Sequence, residues 1–80
     1  MSISKKLAKS LLVVNSPAVG ERIAARRREL NMTQVEIAKR LRISQAEISV
    51  VEKGEKKSIP LEEYSDVLEV PPEYLLTGRK

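Results

Sequence analysis

Two short helices with matching start signals are predicted between Thr33 and Gly54, and they constrain the fold more than any other part of the sequence. Thr33 and Ser44 each suit the N-cap position of a helix, and each is followed three residues later by a glutamate. An N-cap hydroxyl and such a glutamate can bond each other's backbone N–H groups, forming a capping box. Apolar residues at helical spacing follow both caps. Only a tight turn at Arg42 and Ile43 is left between the two helices.

Small and apolar residues fill the predicted contact between these helices. Ala38 faces inward where the helices cross, and its small side chain lets the two backbones approach closely. One apolar cluster would lock the pair at a steep angle: Ile37, Leu41, Ile43, Ile48 and Val51. This is the arrangement of a helix-turn-helix, at about residues 33–54. Such a pair leaves one face of its second helix free to enter a DNA major groove.

Helical spacing continues on both sides of this pair, so the predicted fold class is all-α. Proline, asparagine and glycine mark the boundaries of three further helices. These run from Pro17 to about Leu30, from Pro60 to the break at Pro71-Pro72, and from Glu73 to Leu76 before Gly78. The sequence therefore predicts a compact five-helix domain over residues 17–78.

Residues 1–16 form a predicted N-terminal extension to this domain. A narrow helical stripe fits an extra helix over residues 3–14, whereas Val13 and Val14 would equally suit a short strand. The apolar run Leu11–Val14 is shorter than the roughly 7–15 residues of a signal peptide's apolar region. No stretch approaches the ~20 apolar residues of a membrane span. We therefore expect a cytoplasmic protein with no membrane partner.

The chain contains neither cysteine nor histidine. Zinc sites thereby lose their usual ligands, and general-base schemes lose their usual residue. We expect no enzymatic activity, no metal and no cofactor. The formal net charge is +4, with thirteen Lys and Arg against six Asp and Glu in residues 1–57. A basic body with an acidic C-terminal quarter is typical of a protein that turns one face to an anionic polymer.

The outward face of the third helix carries the side chains expected to contact bases. With Ile48 and Val51 buried, the residues that point outward are Gln45, Ala46, Ser49 and Val50. Glutamine can form two hydrogen bonds to adenine, at N6 and N7. Alanine and valine can touch a thymine methyl group, and serine can bond several base edges. Phosphate contacts should flank this face, at the second helix's N-terminus, the turn and the loop. The residues predicted there are Thr33, Gln34, Arg42, Ser44, Lys53, Lys56 and Lys57.

Residues 18–78 resemble the lambda-repressor-like, Cro/CI-type helix-turn-helix family, also called the xenobiotic-response-element family. The resemblance is carried by the strings RRRELNMTQVEIAKRL, SQAEISVVEKG and LEVPPEYLLTG. It implies that Gln34 bridges a phosphate and Gln45, which contacts adenine, and that Arg27 and Glu52 form a buried structural salt bridge. It also implies phosphate contacts from Lys53 and the following loop, and a dimer contact by the last helix in some members. Two common glycines are replaced, by Arg42 and Glu69.

Two functions remain open at this point. The first is a transcriptional regulator, a repressor that binds double-stranded palindromic operator DNA as a homodimer, because one helix-turn-helix contacts too few base pairs for useful specificity. The family also contains antitoxins, which bind a toxin protein with one segment and DNA with another. Here the protein-binding segment would be residues 1–16. Either reading implies a bacterial or phage-encoded protein associated with the nucleoid.

Overall fold

A computed structural model describes residues 11–79 of the chain, and five helices and a two-stranded sheet account for most of them. The helices are α1 (Pro17–Glu29), α2 (Gln34–Leu41), α3 (Gln45–Glu52), α4 (Leu61–Leu68) and α5 (Pro72–Thr77). The strands are β1 (Val13–Val14) and β2 (Ser58–Ile59). The predicted five-helix fold is confirmed. Within the extension, Val13 and Val14 form the short strand, and Leu11 and Leu12 are not helical. Residues 3–10 of the alternative helix lie outside the described residues.

Side-chain caps determine where the first three helices begin. The Ser16 hydroxyl accepts a hydrogen bond from the Val19 N–H at 3.2 Å. At α2 the full capping box forms, with Thr33 and Glu36 each bonding the other's backbone N–H. These bonds hold the pKa of Glu36 below its ordinary value of 4.5, because the backbone N–H of Thr33 stabilises the charged carboxylate.

The second capping box, predicted at α3, forms only in part. The Ser44 hydroxyl accepts the N–H of Glu47 at 3.1 Å, as expected. The Glu47 carboxylate, however, lies 3.8 Å from the ammonium group of Lys56 and makes no bond back to Ser44 among the described contacts. Lys56, in the loop after α3, competes for this carboxylate. The prediction of the capping box used only Ser44 and Glu47 and did not take this loop into account.

One hydrophobic core joins all five helices to the inner side of the sheet. Its buried residues are Val19, Ile23, Met32, Ile37, Ala38, Ile48, Val51, Ile59, Leu61, Tyr64, Leu68 and Leu75. Leu41 and Ile43, which the sequence placed in the same cluster, pack against it but stay partly exposed. Burial raises the pKa of the Tyr64 hydroxyl. Because Leu75 is fully buried, α5 belongs to the core of the domain.

The extension is attached beside the C-terminal end of α3. In the antiparallel sheet Val13 pairs with Ile59 and Val14 with Ser58. Asn15 continues this attachment, since its backbone N–H donates to the Lys57 carbonyl at 2.9 Å and its side-chain amide donates to the Val51 carbonyl at 3.2 Å. Residues 13–16 are therefore attached to the body of the domain.

No helix in residues 11–79 has the length and apolar character needed to cross a bilayer.

Candidate nucleic-acid interface

The side of α3 that faces away from the core carries the four predicted base-contacting residues. Ile48 and Val51 are fully buried and fix the orientation of the helix. On the opposite side the exposed residues are Gln45, Ala46 and Val50, and Ser49 beside them is half-buried. We call these four residues the reading face. Val50 is 37% exposed and does not belong to the hydrophobic core, so its side chain is available for an apolar contact with a ligand.

The N-terminus of α2 provides backbone donors beside the reading face. The N–H groups of Gln34 and Val35 make no hydrogen bond within the described chain, while the next two N–H groups are bonded to Thr33. Free N–H groups and the positive end of the helix dipole favour an anion at this position. The hydroxyls of Thr33 and Ser44 already accept cap bonds, but each still has its own proton to donate.

A continuous hydrogen-bond chain connects the interior to the reading face. The Arg27 guanidinium donates to both carboxylate oxygens of Glu52, at 2.6 and 3.1 Å. The Gln34 amide nitrogen donates to Glu52 Oε1 at 3.0 Å, and Gln34 Oε1 accepts from Gln45 Nε2 at 3.4 Å. Arg27 also donates to the Met32 carbonyl at 2.8 Å, which holds its side chain in place. Arg27, Glu52, Gln34 and Gln45, each given a role by the resemblance, therefore form one connected group.

Cations lie at the turn and in the loop after α3. Arg42 occupies the turn in a left-handed conformation, with φ at 60°, and is exposed. Lys53 is the exposed C-cap residue of α3. Lys56 and Lys57 follow in the loop and are exposed, and Lys56 forms its ion pair with Glu47. The predicted phosphate-contacting cations thus follow the turn and the C-terminal end of α3.

Two further residues lie at the edge of this surface, and the sequence analysis did not assign them to it. Val35, on the first turn of α2, is 47% exposed beside the free N–H groups. Its position off the inner apolar stripe of α2 is the signal that could have identified it. Glu47 lies on the first turn of α3, half-buried and paired with Lys56. Its interpretation as a capping residue obscured its location near the reading face.

The arginines of α1 act mainly inside the protein. Arg22 donates to the carbonyls of Leu75 and Leu76 at the end of α5, and Arg26 donates to the Leu68 carbonyl at the end of α4. These bonds satisfy helix C-terminal carbonyls that have no partner within their own helix. Arg28 is exposed. No cluster of acidic residues in residues 11–79 is arranged to hold a metal ion.

Comparison with known proteins places this arrangement in a family. A helix-turn-helix family model matches residues 23–75. The DNA-binding domain of the P22 C2 repressor, solved in solution, is 37% identical with a TM-score of 0.70, covering 75% of this chain and 82% of that domain. The biofilm regulator SinR, solved in complex with DNA, is 28% identical with a TM-score of 0.66, covering 72% of this chain and 97% of that one.

A third structure supports the fold alone. The restriction-modification controller protein C.AhdI from Aeromonas hydrophila is 18% identical with a TM-score of 0.67, covering 72% of this chain and 91% of that one. A search of curated protein sequences finds no match. The family match covers the caps of α2 and α3, the turn, and all five helices in whole or in part. The chain belongs to the helix-turn-helix family, as a DNA-binding domain of the lambda-repressor-like, Cro/CI type.

Proposed function

We propose that this protein is a sequence-specific transcriptional repressor that binds palindromic operator DNA as a homodimer. The observation that carries the proposal is the reading face of α3, which offers an amide, two apolar groups and a hydroxyl beside the free N–H groups of α2. An eight-residue helix with such a face has the size to enter a major groove. The name of the P22 C2 repressor, the most identical of the three structures compared, supports the repressor role.

Each residue of the reading face has a proposed partner on the bases. Gln45 forms the pair of hydrogen bonds to adenine N6 and N7. Ala46 and Val50 contact thymine methyl groups, which accounts for an exposed valine on a surface helix. Ser49, between them, donates or accepts at a neighbouring base edge. Together they specify a few base pairs of one half-site.

The phosphate contacts are proposed around this face and carry no sequence preference of their own. The N-terminus of α2 contributes Thr33 and Gln34, and the cap of α3 contributes Ser44. The cations that complete the set are Arg42, Lys53, Lys56 and Lys57. Such contacts fix the orientation of α3 on the duplex and supply most of the salt-dependent affinity.

Dimerisation is proposed because one α3 contacts too few base pairs for useful specificity. Two copies related by a two-fold axis place their α3 helices about one turn of DNA apart, and the operator then repeats as a palindrome. Leu76 on α5 is 42% exposed, which supports the implied use of the last helix in a contact between copies.

Selection of binding sites from random DNA, followed by measurement of the mass of the complex, tests this proposal. We expect a two-fold symmetric site and two protein chains per duplex. Replacing Gln45 by Ala should weaken binding to the selected site by about 1–3 kcal/mol and relax the preference at one base pair, because a paired contact to adenine is lost. The control Lys56→Ala should weaken all sequences by the same factor. An unchanged preference in Gln45→Ala would show that α3 contacts the bases differently.

A second candidate function, that of an antitoxin, is favoured by the exposed apolar side chains of the extension. Leu11, Leu12 and Val14 are 70%, 61% and 78% exposed. Neighbouring exposed apolar side chains of this kind are typical of a surface that binds another protein. A toxin-like protein encoded beside this gene would cover them. The test is co-purification with that gene's product, using Leu12→Ser/Val14→Thr, which keeps the strand pairing of Val13. Loss of the partner with DNA binding retained supports the antitoxin, and loss of dimer mass instead assigns these residues to the homodimer.

A further inference from the structure

The hydrogen-bond chain that links Arg27, Glu52, Gln34 and Gln45 has a direction, and this direction bears on which base Gln45 selects. A guanidinium group can only donate, and a carboxylate can only accept. Arg27 is buried and bonded to both oxygens of Glu52, so the carboxylate is held in place with its Oε1 turned towards Gln34. The start of the chain therefore consists of groups whose hydrogen-bonding roles cannot be exchanged.

This fixed start determines the orientation of the next amide. Gln34 must present its NH₂ group to Glu52, and the bond is 3.0 Å long. The carbonyl oxygen of the same amide must then point the other way, towards Gln45. A free glutamine could flip its amide at little cost, since nitrogen and oxygen have similar shapes. Next to an acceptor-only group, the flipped amide would place two acceptors face to face.

The orientation passes on to Gln45 in the same manner. Because Gln34 offers an oxygen, Gln45 must use one N–H of its amide to reach it. Gln45 is left with one N–H and one carbonyl oxygen to turn towards a base. Adenine presents an acceptor at N7 and a donor at N6, which match one donor and one acceptor. Guanine presents acceptors at both N7 and O6 and would need two donors.

We infer that Glu52 is a specificity-determining positioning residue, which selects adenine over guanine by fixing the amide orientations of Gln34 and Gln45. This inference rests on the proposed base contact of Gln45. Glu52 itself touches no base, since its carboxylate is 8% exposed and is engaged by Arg27 and Gln34. It acts on Gln45 through two successive hydrogen bonds, from Gln34 to Glu52 and from Gln45 to Gln34, and each amide can form its bond in only one orientation.

Replacing the carboxylate by an amide of the same shape should reverse the chain. In Glu52→Gln either orientation of the new amide places its NH₂ group against one N–H of Arg27. The carbonyl oxygen should keep the shorter contact, to Arg27 Nε at 2.6 Å, and the longer contact to Arg27 Nη2 at 3.1 Å is given up. The new NH₂ group then faces Gln34, which turns its oxygen inward and its nitrogen towards Gln45. Gln45 accepts that bond with its oxygen and turns its NH₂ group, with two donors, towards the base. The preference should move from adenine towards guanine.

The experiment measures competition binding to operator variants that differ at the one base pair identified by Gln45→Ala. We expect the affinity ratio of adenine to guanine to fall by on the order of tenfold or more in Glu52→Gln, as expected when one paired base contact is exchanged for another. Glu29→Gln is the matched control, because it makes the same chemical change at another arginine-bonded carboxylate, on α1 and outside the chain. Its ratio should equal that of the native protein. Gln34→Met breaks the chain without reversing it and should lower the ratio without favouring guanine.

The ratio separates a positioning role from a merely structural one. Glu52→Gln also loses a charged hydrogen bond to Arg27, so binding is measured well below the unfolding temperature of the variant. Any remaining loss of folded protein lowers the affinities for adenine and guanine sites equally and leaves their ratio unchanged. A native ratio in Glu52→Gln, with Gln45→Ala still abolishing discrimination, overturns the inference and leaves the proposed function standing. If Gln45→Ala leaves discrimination intact, the proposed base contact itself fails.

Discussion

At the scale of single residues, the turn of the helix-turn-helix combines backbone strain with a positive charge. Arg42 adopts the left-handed conformation, with φ at 60°, where side chains with a Cβ are disfavoured by about 1 kcal/mol. The turn is held closed by a hydrogen bond of 3.0 Å from the Ile43 N–H to the Ala38 carbonyl. A glycine would fit this backbone more easily, whereas the arginine side chain lines a pocket with Glu63 and Asp66 of α4 and also offers a charge to an anion. Its exposed guanidinium, beside α2 and α3, is suited to contact a phosphate.

Replacing Arg42 by Gly should separate these two effects. We expect the free energy of unfolding to rise by up to about 1 kcal/mol, because the strain is relieved. The greater freedom of glycine in the unfolded chain offsets part of this gain. Affinity for all DNA sequences should fall together, because a phosphate contact is lost. Denaturant unfolding and DNA binding measure the two quantities.

The control is Glu69→Gly, since Glu69 has the same conformation, with φ at 59°, at the end of α4. It should gain stability without losing DNA affinity. Equal losses of affinity in the two variants would show that Arg42 contributes no phosphate contact.

At the scale of elements, the position of α3 depends on a close approach to α1. A Cβ added to Gly20 of α1 would lie 2.4 Å from the Val51 carbonyl oxygen and 2.6 Å from that of Glu52. These oxygens belong to the last turn of α3, whose backbone cannot move aside as a flexible side chain would. The absence of a side chain at residue 20 therefore lets the two helices pack at the distance that the Arg27–Glu52 pair requires.

Gly20→Ala should consequently destabilise the protein, although alanine favours helices. We expect a loss of about 1–3 kcal/mol, as for overpacked cores, and a fall in Tm of roughly 4 °C or more. Glu21→Ala, one residue further along α1 and exposed, should stay within about 0.5 kcal/mol of the native protein. A stable Gly20→Ala variant would mean that α1 and α3 can separate without cost.

The elements also show why the sequence predicted some features and missed others. Helix starts and the turn follow from residues within a few positions of each other, such as Thr33 and Glu36, so they were predicted correctly. The partners that attach the elements are distant in sequence. Asn15 bonds a carbonyl 36 residues away, Arg26 one 42 residues away and Arg22 one 53 residues away. No local pattern indicates such partners. The same holds for Lys56, which pairs with Glu47 and competes with the second capping box.

At the scale of the whole molecule, charge is divided between two regions of the fold. Residues 58–80 hold five Asp and Glu against two Lys and Arg, whereas the rest of the chain is strongly basic. α5 packs against α1 and α4, whereas α4 packs against α2, and its acidic residues Glu63 and Asp66 line one pocket with Arg40 and Arg42. An unevenly charged protein turns its basic side to DNA as it approaches, which speeds association and disfavours reversed binding.

The salt dependence of DNA binding follows from this distribution and depends on the number of bound copies. With the four cations proposed above to contact phosphates in each copy, a homodimer would neutralise about eight phosphates. The logarithm of affinity should then fall with the logarithm of salt concentration with a slope of about −7, against about −4 for a monomer. Lys57→Ala should make the slope of the dimer less steep by about 2, because one phosphate contact is lost from each copy. Arg79→Ala, which removes an exposed cation after α5, should leave it unchanged. Titration between roughly 50 and 200 mM salt measures these slopes, and a salt-independent affinity would contradict the phosphate contacts altogether.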